Sequence, residues 1–128
     1  MKQIILAAIS LLALAQTIKT HQMNNSVFID KITVPVTYKE EFVTRMKTTQ
    51  HFLHALPGFI SQATYERADE EGKVIFVTVT VWKDKAAIDD AQKAVEAEYK
   101  RTGFDRVAFN KKMNIIREGG GVYQLVGD

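Results

Sequence analysis

The ten residues from Lys73 to Trp82, KVIFVTVTVW, constrain this chain more than any other stretch. They are strongly β-branched and end in an aromatic, a composition that loses rotamer freedom in a helix and packs well on a pleated surface. They form a strand long enough to cross a whole sheet. Alternation puts Ile75, Val77, Val79 and Val81 on one side and Phe76, Thr78, Thr80 and Trp82 on the other. Both sides are too apolar to meet water, so each must be covered.

The neighbouring segments say how. Val27 to Val34 is a strand stopped by Pro35. Thr37-Tyr38-Lys39-Glu40 has the spacing of a capping box and is expected to open a helix with the stripe Phe42, Met46, Thr49, Leu53 and Leu56, which Pro57-Gly58 ends. Phe59 to about Arg67 is a strand, joined through Ala68 to Gly72 to the central one as a hairpin. Asp84 is placed to cap a second helix with the stripe Ile88, Ala91, Val95 and Tyr99, ended by Gly103. Phe104 to Lys112 reads as a short helical turn, Met113 to about Arg117 as the last strand, and Gly119-Gly120-Gly121 as a flexible hinge before a strand-like tail, Val122 to Val126. The order β-α-β-β-α-β is the ferredoxin-like α+β arrangement, a four-stranded antiparallel sheet with two helices on one face. Its other face is expected to be buried by a second copy, sheet against sheet, in a homodimer of the dimeric α+β barrel type, with the tail pairing with the partner's sheet edge.

Length and composition agree with one soluble domain: 128 residues, 46% hydrophobic and 25% charged. The net charge is +2 with basic residues dispersed near helix ends, which points away from nucleic acid. There is no cysteine, which excludes thiol catalysis, disulfides and thiolate metal sites. Lys2, the apolar run Ile4 to Ala15 and the small-x-small ending Ala13-Leu14-Ala15 read as a secretory signal over residues 1–15. A polar leader, 16–26, a domain, 27–118, and a hinge and tail, 119–128, follow. The run is short for a membrane span, so the expectation is a secreted or periplasmic protein with no membrane attachment after cleavage.

No Gly-rich phosphate loop, metal-ligand spacing or Ser-His-Asp pattern is present. His21 lies in the polar leader. His51 falls opposite the stripe of the first helix and His54 on its flank, positions suited to solvation or capping. On the second helix Gln92 falls about 40° from the stripe centre, so its amide is expected to point at the sheet, either satisfied by a neighbouring polar group or lining a cavity. Asp30 alternates with Phe28 and Ile32, which puts a carboxylate inside an apolar layer. Thr78, Thr80 and Trp82 share that face. Trp82 serves either as core or as the aromatic wall of a small-molecule pocket.

Phe28-Ile29-Asp30-Lys31-Ile32-Thr33-Val34-Pro35, Glu41-Phe42, Leu56-Pro57-Gly58-Phe59 and Phe76 to Trp82 together resemble the antibiotic biosynthesis monooxygenase domain. The resemblance spans roughly Val27 to Ile116. It implies a dimeric α+β barrel and one of three activities: cofactor-independent oxygenation of quinols or anthrones, quinol oxidation, or haem degradation. Haem-degrading members carry an asparagine on the first strand, a tryptophan ending the third and a histidine on the second helix. Trp82 matches the tryptophan, while Asp30 and Gln92 stand at the other two positions, so no proximal haem ligand is implied. The function so expected is a cofactor-independent monooxygenase taking a small aromatic molecule and oxygen. Asp30 would be the base, Gln92 an orienting donor, Trp82 part of the catalytic group, and Phe28, Phe76, Thr78, Thr80 and Tyr99 the substrate surroundings. The alternative is a non-catalytic dimeric module that binds a small hydrophobic ligand.

Overall fold

The computed structural model describes residues 25–127; the expected signal segment and most of the polar leader lie outside them. Strands β1 (Ser26–Pro35), β2 (Phe59–Ala68), β3 (Lys73–Trp82) and β4 (Ile116–Gln124) form one antiparallel sheet in the order β2-β3-β1-β4. Helices α1 (Lys39–His54), α2 (Lys85–Thr102) and the short α3 (Arg106–Lys112) complete a ferredoxin-like fold. Among the described residues no helix is long and apolar enough to cross a membrane.

The capping box does not form. Val36–Tyr38 is a 3-10 turn instead, and α1 starts at Lys39 with no side-chain cap. Pro35 directs the chain out of β1, and the Val36 amide donates to the Gly72 carbonyl at 3.0 Å, which ties this turn to the β2–β3 link and draws Thr37 inside it. The other caps follow the sequence. Asp84 accepts from the Ala87 amide at 2.8 Å, and Gly103, with φ +73°, ends α2 while the Phe104 amide reaches back to Tyr99. Asp105 likewise caps α3 through the Ala108 amide.

Gly58 explains how α2 comes so close to the sheet. Its φ is +83°, and a Cβ there would lie 2.6 Å from the Ala87 Cβ. This contact rolls α2 onto its alanine side: Ile88 and Ala91 are buried, Ala87 and Ala94 half-buried, and Gln92 is exposed. At about 100° per residue, the buried arc is centred nearer Ala91 than the expected stripe, which carries Gln92 outward. At the far end of this helix Arg101 hydrogen-bonds Glu98 and holds its carboxyl below the ordinary value, on an exposed surface.

Two apolar clusters form the core under the helices. One joins Ile32, Val34, Phe42, Val74, Phe76, Met113 and Ile115; the other joins Trp82, Ile88 and Ala91 with half-buried Phe28, Leu53, Phe59 and Val122. Met113 and Ile115 are therefore core rather than the start of β4, which begins at Ile116 after Asn114 turns the chain with φ +53°. The expected glycine hinge is also absent. β4 runs through Gly119, Gly120 and Gly121 as one strand, and its register with β1 slips between Ile29 and Lys31, so that Gly119 and Gly120 stand opposite Asp30. Gly119 takes φ +53°, the left-handed conformation that a bulge of this kind places on glycine.

Candidate active site

Between the two apolar clusters the helix-covered face of the sheet is polar. Register places Thr64, Thr78 and Asp30 in one row across β2, β3 and β1, and Gln62, Thr80 and Phe28 in the next. Asp30 is 6% exposed and Thr80 7%, so both groups are taken out of water and need partners. The Thr80 hydroxyl lies 3.5 Å from the Phe28 carbonyl, at the long limit of a hydrogen bond.

Asp30 finds its partner on β4. Arg117, opposite Ile32 in register, donates from Nη1 to Asp30 Oδ2 at 2.5 Å. The bulge supplies the room. A Cβ at residue 120 would lie 3.1 Å from Phe28 Cζ and 3.2 Å from Asp30 Oδ1, so the ring and the carboxylate use space that any side chain there would contest.

Trp82, 2% exposed, ends β3 beside this row and meets the Phe59 ring edge-on at 5.4 Å. Phe28 and Val122 pack against the same cluster. Thus Asp30, Thr78, Thr80, Phe28 and Trp82 occupy adjoining positions on one face, as alternation implies. Three other candidates do not join them. Gln92 is exposed, for the reason given above. Phe76 lies six positions before Trp82, about 20 Å away along a strand. It packs against Phe42 at 5.1 Å in the opposite cluster. Tyr99 sits between the helices, its hydroxyl 3.3 Å from Thr49 Oγ1, with the Arg45 guanidinium 5.3 Å from its ring centre and 3.4 Å from that of Phe104.

The sequence reading missed the residues that close this face at its edges. Arg117 is 87 positions from Asp30, so no local spacing links them. On the other side α1 is fastened to β2 by Gln50 Nε2 donating to Thr64 Oγ1 at 2.9 Å and by His54 Nε2 paired with Gln62 Oε1 at 3.1 Å. His54 is exposed but also packs on the Phe59 ring at 4.7 Å, so it is more than a solvated flank. A groove of about 530 Å³ lined by Val36, Thr37, Lys39, Glu40, Val43, Thr44 and Lys47 lies at the start of α1, the end of the domain remote from Trp82. Among the described residues no group of three or more His, Asp or Glu side chains is gathered to hold a metal ion. The exposed amide of Gln92 is no substitute for a proximal imidazole, so the residues present do not fit a haem.

The helix-covered face of this ferredoxin-like sheet thus carries a buried carboxylate and threonines beside a tryptophan. The chain belongs to the antibiotic biosynthesis monooxygenase family, whose model matches residues 27–101. Among solved structures it is similar to SnoaB, a cofactor-independent oxygenase from Streptomyces nogalater, at 20% identity and a TM-score of 0.56, over 82% of this chain and 96% of that one. It is also similar to a dimeric ferredoxin-like protein from an uncultured marine organism, at 12% identity and a TM-score of 0.56, over 81% and 97% of the two chains. A de novo designed protein, Foldit4, aligns at 15% identity with a TM-score of 0.50, over 81% of this chain and 99% of that one. These likenesses establish the fold. No curated protein sequence matches the chain.

Proposed function

We propose that this protein is a cofactor-independent monooxygenase acting on an electron-rich aromatic of quinol or anthrone type. The observation that supports the reading most is the buried Asp30 in a polar row that runs into the Phe28 and Trp82 rings. Family membership and the likeness to a cofactor-independent oxygenase support it further. Such a substrate, once deprotonated, delivers electrons to O2 directly. It supplies all four electrons that turn O2 into one incorporated oxygen atom and one water, so the protein provides a dry wall, a proton acceptor and oriented hydroxyls. In this scheme Asp30 Oδ1, the oxygen not held by Arg117, takes the proton. Thr78 and Thr80 orient the substrate, and Phe28 and Trp82 form the wall.

The same reading includes export through the N-terminal segment, since a reaction that needs no diffusible reduced cofactor suits a compartment outside the cytoplasm. It also includes a homodimer through the sheet face that no described helix covers. Across that face run the rows Ser61-Val81-Val27-Tyr123, Ala63-Val79-Ile29-Gly121 and Arg67-Ile75-Thr33-Ile116, mostly apolar in the middle, with Ser61, Thr33 and Arg67 as polar members and the Lys31–Glu118 pair beside them.

Oxygen uptake on a panel of quinols and anthrones, without added cofactor, tests the proposal. Turnover that falls at least tenfold in Asp30→Asn supports the residue assignment, and undiminished turnover in that variant contradicts it. One observation favours a second reading, a non-catalytic binding module: one oxygen of Asp30 is already engaged by Arg117. Stoichiometric ligand binding with no oxygen uptake across the panel would select it.

A further inference from the structure

Asp30, Thr80 and Trp82 are 6%, 7% and 2% exposed, so whatever reaches them must part the layer that covers them. We infer that the C-terminal half of α1, Thr48 to His54 with Leu56 behind it, is a gate that opens away from β2 and admits small molecules to the Trp82 face of the sheet.

Four observations carry this. α1 spans the two apolar clusters unevenly. Its first half is set beside Phe76 by Phe42, its one buried residue, together with Val43 and Met46. Its second half covers Trp82 with Leu53, and the following turn with Leu56, both half-buried. Between these halves the helix is weak. Thr44 and Thr48 turn their hydroxyls back on the Glu40 and Thr44 carbonyls at 3.0 and 3.1 Å, which loosens and bends a helix. Thr49 adds another β-branched residue and puts a hydroxyl, 3.3 Å from that of Tyr99, into the inward stripe. The second half is also fastened to β2 by side-chain bonds within reach of water, Gln50 to Thr64 at 2.9 Å and His54 to Gln62 at 3.1 Å. Water can replace both, so each adds little to closure. Finally, exposure falls inward from this seam. Thr64 is exposed, Thr78 half-buried and Asp30 buried along one row, and half-buried Gln62 leads to buried Thr80 along the next.

The α2 side of the Trp82 cluster is closed more firmly. α2 contributes buried Ile88 and Ala91, and Gly58 locks against it through its approach to Ala87 and through the Lys83 amide, which donates to the Gly58 carbonyl at 2.8 Å. Phe42 and Gly58 are thus the fixed ends between which the gate moves. The gate depends on the proposed function only for what passes through it, the aromatic substrate and O2.

Trp82 is the only tryptophan and the chain has no cysteine, so fluorescence reads this one site and introduced thiols are unique. Quenching of Trp82 by acrylamide in the full chain measures access. A short bis-maleimide bridge between Gln50→Cys and Thr64→Cys is expected to lower the quenching slope. The same bridge between Lys39→Cys and Glu66→Cys, a pair that ties the first half of α1 to the same strand at 2.7 Å, is expected to leave it unchanged. Gln50→Ala with Gln62→Ala is expected to raise the slope about twofold or more, the factor that a net hydrogen bond is worth. An unquenched wild type, equal effects of the two bridges, no effect of the first, or an unchanged slope in Gln50→Ala with Gln62→Ala would each overturn the inference. Should a cysteine variant fail to fold or to bridge, hydrogen exchange of the wild type decides. Amides of Gln50–His54 exchanging about tenfold faster than those of Val43–Lys47 and of the last turns of α2, Ala97–Thr102, support the gate, and equal protection overturns it. The two proposals fail separately. A gate without oxygen uptake retires the oxygenase reading alone, whereas oxygen uptake undiminished by the Gln50–Thr64 bridge retires the gate alone.

Discussion

At Gly120 a single hydrogen in place of a side chain governs two neighbours, the Phe28 ring and the Asp30 carboxylate. Gly120→Val is expected to cost about 1–3 kcal/mol by overpacking and to displace one of them, which thermal unfolding would register. Trp82 gives the complementary case. Trp82→Ala opens a cavity in the cluster with Ile88 and Ala91 and is expected to cost about 3–5 kcal/mol, while Trp82→Phe keeps most of the burial. If the ring is wall as well as core, Trp82→Phe leaves stability nearly intact yet lowers oxygen uptake several-fold; full uptake in that variant would make Trp82 core only. Residue-level reading of the sequence went far here because alternation fixes the face: Asp30, Phe28, Thr78, Thr80 and Trp82 could be assigned to one side from period alone. It stopped at Arg117, since a partner in another strand depends on sheet order and on a bulge, neither of which leaves a local pattern.

At the level of elements, the glycines had different fates. Gly103 ends α2 as its position suggests, whereas α1 stops earlier than expected, at His54 with Ala55 as its C-cap, and Gly58 turns the chain into β2 with its left-handed φ. Gly58→Ala combines a left-handed φ with a 2.6 Å approach to Ala87, and is expected to destabilise by on the order of 2 kcal/mol or more, measured by denaturant midpoint. Asn114, also left-handed, predicts the opposite sign: Asn114→Gly is expected to be neutral or stabilising by a few tenths of a kcal/mol, with no loss of the Ile115 amide bond to Asn110. The triplet Gly119 to Gly121 misled because a bulge and a hinge have the same composition; only pairing to β1 separates them. Gln92 misled because helix roll is set by what the helix touches. A small shift toward Ala87 and Ala91, allowed by Gly58, moves a residue near the stripe to the surface.

For the whole molecule, the two-faced apolar strand that constrains the fold also sets the proposed assembly. Val79 lies between Ile29 and Ala63 near the middle of the face that no described helix covers. Placing a charge there, Val79→Lys, is expected to convert a homodimer to monomer in sedimentation while leaving the domain folded, because a lone charge in an apolar sheet-to-sheet interface is not compensated. A wild-type protein that sediments as a monomer would contradict the dimer. The reaction itself is decided by one measurement: the purified protein, free of added cofactor, is given a quinol or anthrone under isotopically labelled dioxygen and the product is weighed. One labelled oxygen atom per product molecule, dependent on Asp30, is the expected result. Product without label, or no reaction above the protein-free rate with any substrate of the panel, would contradict an oxygenase.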